Sequence, residues 1–186
     1  MGASLDVDLK PLRQGDLDGL CGVYAILNAL QWLLPRARNP DYLTALFDDI
    51  IGAIYTIDNI KDGGEEPELT NVFQFIKERV ADDFGAVMEM SVLAGAEGKF
   101  EQPDRAIAAA FAEARSGVLI LGFEGLDSHW TVVRGMTTTE VILFDSWEYR
   151  TFDRGTLVWS RLAKDVSSSK EVVVSSADLN WISVRA

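Results

Sequence analysis

Cysteine and histidine each occur once in this chain, as Cys21 and His129. One cysteine closes no intramolecular disulfide, so the fold asks for no oxidising compartment. One cysteine with one histidine builds no zinc cage, and no metal is expected. No apolar run reaches the length of a membrane span, so no membrane partner is expected. The opening MGASLDVDLK lacks the basic stretch and apolar stretch of a secretory signal. Asp6 leaves the acylation pattern begun by Met1-Gly2 incomplete. The expectation is a soluble, cytoplasmic protein.

Basic residues are scarce as well, 17 against 29 acidic, for a net charge of −12. A phosphate backbone needs a concentrated basic face, so nucleic acid is not expected as a partner. The acidity suits a basic peptide or protein substrate, although net charge reports mainly on solubility. Neither GxGxxG nor a P-loop occurs, so no nucleotide cofactor is implied. DNIKDGGEEPEL departs from a calcium loop, with Ile60 third and Leu69 twelfth. The sequence leaves the oligomeric state open.

What is present is apolar material: 48% of 186 residues, enough to build one core without staples. One domain spanning 1–186 is expected, with a helical half over 13–116 and a sheet half over 117–186. LDVDLKPL (5–12) alternates like a short strand. Leu20, Val23, Tyr24, Leu27, Leu30 and Leu34 recur at helical spacing until Pro35. Further helices are predicted over 41–54, 68–80 and 103–115, with a charged loop at 58–68. Strands are predicted over 87–93, 118–123, 129–135, 140–147 and 148–153, and at the closing NWISVRA. The stretch 164–170 reads as an exposed loop. Helices first and an antiparallel sheet second is an α+β arrangement.

Cys21 falls where a loop becomes the first helical turn. A thiol there stands among unpaired N–H groups and the positive helix end, a setting that favours thiolate. Taken alone, such a cysteine is more often a small buried hydrophobe. Asp18-Gly19 makes a tight turn before it, and Asp18 is a candidate N-cap. Gly22 leaves room for a substrate to approach backbone amides. Gln14 stands seven residues upstream. Its amide, with the Cys21 N–H, is a candidate donor pair for the oxyanion that thiol attack on a carbonyl creates.

His129 is the one residue suited to act as base for that thiol. If Gly135–Thr139 closes a hairpin, Arg134 faces Glu140 and His129 faces Asp145. Opposed residues point to one face with Cβ atoms about 4.5–5.5 Å apart. Asp145 is then placed to accept from Nδ1–H and hold the ring. A one-residue slip would break the pairing. Trp130 and Trp147 are candidates to roof this site or line a pocket. Aromatics in a β-rich core are, however, more often packing.

The segments QGDLDGLCGVYAILNAL, SHWTVV and VILFDSW, in this order, resemble the papain-like cysteine peptidase superfamily. The Cys-Gly form is similar to its bacterial branches, the double-glycine leader peptidases and the cysteine-protease effectors. The resemblance implies a papain-like fold with the nucleophile at a helix N-terminus packed on a C-terminal antiparallel sheet. It implies a thiol hydrolase cutting a peptide or isopeptide bond, with no cofactor. Gln14 would be the oxyanion donor, Cys21 the nucleophile, His129 the base and Asp145 its orienter. Acyl transfer or deamidation on the same triad, and a non-catalytic interaction module on the same fold, remain open. Delivery as an effector remains open too. LCGVY also resembles the DCGVF of ubiquitin-like proteases, but there the histidine and acid precede the cysteine.

Overall fold

The computed structural model describes residues 9–14, 20–54, 66–93, 95–113, 116–124, 128–162 and 171–185. Helix α1 spans Cys21–Leu33, and Pro35 stops it as the spacing predicts. Val23, Ile26, Leu27 and Leu30 on α1 are fully buried, which makes it the central helix. Helix α2 (Pro40–Ile54) begins where the Asn39 side chain accepts the Asp41 N–H at 2.9 Å. Helix α3 (Glu66–Phe84) starts earlier than predicted, taking residues 66–68 from the charged loop. Pro67 suits a first helical turn, where its missing N–H leaves no bond unmade. The rest of that loop, and the predicted loop over 164–170, lie outside the described residues.

Strand β1 (Val87–Val92) follows, then helices α4 (Ala96–Lys99) and α5 (Pro103–Glu113). Next come β2 (Val118–Phe123), β3 (His129–Met136), β4 (Glu140–Phe144) and β5 (Thr151–Asp153). The described chain ends through β6 (Leu157–Trp159), β7 (Val172–Val174) and β8 (Leu179–Arg185). Six strands form one sheet in the order β1-β8-β2-β3-β4-β5, antiparallel at every junction. The fold is α+β: helices first, then this sheet.

Alternation along the strands divides the core between two faces. Val118, Ile120, Val132, Phe144 and Ile182 pack with α1, α2 and α3. Leu119, Leu121, Val133, Val141 and Leu143 pack on the reverse face with Ile107 of α5 and with β6 and β7. Covering both faces explains why every residue of β2 is buried.

Three expectations need correction. No strand occurs at 9–14, where the predicted strand over 5–12 should continue; residues 1–8 lie outside the described set. This segment docks instead against α1, the Leu12 N–H donating to Asn28 Oδ1 at 2.7 Å. The sheet half also holds an unpredicted parallel pair, β6 with β7, whose three-residue strands are too short for periodicity to register. The hairpin register differs as well. Val132 pairs with Phe144 and Val133 with Leu143, whereas Gly135 pairs with Ile142 and Met136 with Val141. Arg134 is the unpaired residue of a β-bulge between the two stretches.

Candidate active site

The bulge decides which side chains meet. Continued without it, the tip register would set Asp145 opposite Val132, on the face away from His129. With Arg134 set aside, the ladder of Val132 and Phe144 extends to place Thr131 across from Asp145. His129 is two residues further along the same face. The predicted directly opposed pair is therefore a diagonal one, still within reach.

His129 Nε2–H donates to Asp145 Oδ2 at 2.8 Å. Here too the expectation is corrected, because it assigned the carboxylate to Nδ1. Both side chains are buried. A second hydrogen bond joins the His129 ring to Cys21. The imidazole thus interacts with both a sulfur and a carboxylate.

Burial alone would lower the His129 pKa, yet the bonds and charges of Asp145 and Cys21 outweigh it and raise it to about 9. Asp145 moves the other way. Burial pushes its carboxyl up, but the bond and charge of His129, the Thr131 hydroxyl and the Trp147 N–H bring it below the ordinary 3.8. The pair is held as imidazolium and carboxylate at neutral pH.

Asp145 is fixed from its other oxygen as well. Oδ1 accepts the N–H of Trp147 at 2.7 Å and of Tyr149 at 3.2 Å. Glu148 between them takes φ 74°, a left-handed turn that costs about 1–2 kcal/mol without glycine. This local wrapping is why β4 stops at Phe144, short of the predicted Trp147. It also accounts for β5 starting only at Thr151.

Comparison of the chain with protein-family models, curated proteins and solved structures finds no match in any of the three.

Aromatic rings enclose the imidazole. Trp147 stacks on it with centroids 5.7 Å apart, Phe123 meets it edge-on at 5.7 Å, and Tyr149 lies at 5.9 Å. Trp147 is exposed and covers the ring from solvent. Trp130 points to the α1 face, where its Cδ1 lies 3.8 Å from the position a Cβ on Gly22 would occupy. Leu69 Cδ1 stands 3.3 Å from that same point. Cys21 and His129 are thus held together through their next neighbours, Gly22 and Trp130.

Cys21 itself is half-buried and opens α1. The N-cap is Leu20, with no side-chain cap hydrogen bond, which corrects the reading of Asp18 as the cap. Asp18 lies outside the described residues. Gln14 is half-buried, and its backbone N–H donates to the Ser146 carbonyl at 3.2 Å, beside Asp145. Residues 15–19, between Gln14 and Leu20, are outside the described set.

Sequence reasoning missed Phe123, Tyr149, Ser146 and Asn28. The first three act through rings and backbone groups that no spacing rule marks. Asn28 did carry a signal, a polar residue inside the apolar run AILNAL. Among the described residues no cluster of acidic, histidine and cysteine side chains could hold a metal, and no helix is long and apolar enough to cross a membrane.

Proposed function

We propose that this chain is a papain-like thiol enzyme that cleaves peptide or isopeptide bonds by acyl transfer. The observation that carries the reading is the His129 ring, bonded to Asp145 at 2.8 Å and interacting with Cys21, which together raise its pKa. A nucleophile, a base in contact with it and a group orienting that base form the general signature of covalent catalysis. The chain order Cys–His–Asp, with the cysteine opening a buried helix and the histidine opening a strand, supports the papain-like fold.

The chemistry follows from these groups. Cys21, as thiolate, attacks the carbonyl carbon, and the electron pair of the C=O bond moves to oxygen. The Cys21 N–H and the Gln14 side-chain amide stabilise that oxyanion. The tetrahedral centre collapses, the C–N bond breaks, and the imidazolium gives its proton to the leaving amine. His129, now neutral, takes a proton from water as the water oxygen attacks the thioester. Cys21 leaves as thiolate and the pair is restored. The chain's acidity, −12, favours a basic peptide or protein as substrate.

The test is labelling by a thiol-directed activity probe, followed by proteome-wide cleavage mapping. Wild type should label rapidly at Cys21, His129→Ala at the rate of an ordinary thiol, and Cys21→Ala not at all. Cleavage should vanish in the Cys21 and His129 variants. Equal labelling of wild type and His129→Ala would leave Cys21 an unactivated thiol and end the proposal.

A further inference from the structure

Asn28 lies seven residues beyond Cys21 on α1, close to two helical turns away and so near the same helical face. Its side chain is fully buried, and it is spent on the segment that carries Gln14. Asn28 Oδ1 accepts the Leu12 N–H at 2.7 Å, and Nδ2 donates to the Leu12 carbonyl at 3.3 Å. Gln31 Nε2 donates to the same Oδ1 at 2.7 Å and fixes the amide from behind. Two residues past Leu12, the Gln14 N–H reaches Ser146.

The strap 9–14 is therefore pinned at one point to the helix of Cys21 and at the next to the turn of Asp145. We infer that Asn28 is a positioning residue: it sets the strap against α1 and so aligns the Gln14 amide with the carbonyl that Cys21 attacks. This rests on the proposed acyl transfer, in which Gln14 is an oxyanion donor.

Two electrophiles separate alignment from thiol reactivity. Iodoacetamide alkylates sulfur by displacing iodide and forms no oxyanion. p-Nitrophenyl acetate acylates it through a tetrahedral oxyanion, the thiolate adding to the carbonyl carbon and nitrophenolate leaving. Asn28→Leu should slow acylation by about 10²-fold, the scale for misplacing a catalytic group by an ångström. Its alkylation rate and the pH profile of that rate should match wild type. Adding Gln14→Ala should cost little more than Gln14→Ala alone, because both act on one step.

Asn28→Asp keeps an acceptor for the Leu12 N–H. It should show a smaller loss in the same ratio, and it serves if the leucine variant does not fold. An unchanged ratio of acylation to alkylation in a folded variant would overturn the inference, as would full additivity with Gln14→Ala. Wild-type acylation no faster than that of His129→Ala is a different failure, and it would remove the proposed function along with this inference.

Discussion

Trp147 lies on the imidazole of His129 with the two planes inclined by 29°, while the indole itself stays 44% exposed. An apolar plate with one face on a charged pair and the other in water screens the hydrogen bond beneath it from exchange. Trp147→Ala should leave the fold intact, since the indole belongs to neither of the two core clusters. The His129 Nε2 proton should give a resolved low-field NMR signal in wild type, broadened beyond detection in the variant. Equal line widths would show that the indole shields nothing.

The pH dependence of stability follows from the two opposed shifts. His129 rises from 6.5 to about 9, so its contribution is complete below 6.5 and is lost as pH climbs through 9. Asp145 is depressed, so its contribution is complete above 3.8 and is lost as acid protonates it below that value. The pH-dependent part of the Tm difference between wild type and His129→Ala should be greatest between 3.8 and 6.5. It should shrink toward pH 9, and a flat difference across that range would contradict the shift.

Removing the acid tests two bonds at once. Asp145→Ala leaves His129 without its carboxylate and frees the N–H groups of Trp147 and Tyr149. Breaking one half of a buried pair costs about 3–5 kcal/mol. Asp145→Asn should cost less, since an amide oxygen still accepts from the backbone. In both, the His129 NMR titration should move down from about 9 toward the ordinary 6.5. Urea denaturation and that titration check the two halves separately.

The Arg134 bulge leads to an unusual expectation about chain length. The pairs on either side of it, Val133 with Leu143 and Gly135 with Ile142, already fit a regular ladder once Arg134 is gone. Deleting Arg134 should therefore keep Asp145 on the His129 face, with the ring still titrating near 9. Duplicating Arg134 adds a residue that one bulge cannot absorb, and the titration should fall to the ordinary range. The opposite pattern would disprove the parity argument.

Much of the frame was legible in the sequence, because periodicity reports burial directly. The apolar spacing from Leu20 to Leu34 gave α1, and the apolar run 118–123 gave β2 with its bounds intact. The diagonal contact of His129 with Asp145 was nearly reached by counting outward from the hairpin tip. It was missed by two residues because β3 runs on to Met136 and then spends Arg134 as a bulge. Which imidazole nitrogen meets the acid was out of reach, since it depends on ring orientation and not on spacing. The Asn28 clasp on Leu12 is long-range and made with backbone groups, a kind of contact that patterning of side chains does not encode.

Strand β8 lies inside the sheet, next to its edge strand, hydrogen-bonded to β1 on one side and β2 on the other. Residues 179–185 are therefore the splice between two parts of the molecule made much earlier in synthesis. A nascent chain still holding them in the ribosomal tunnel has β1 and β2 with no strand to join them, and α1 faces a core lacking Ile182. The packing around α1, the helix that Cys21 opens, is therefore complete only once β8 has been made and inserted.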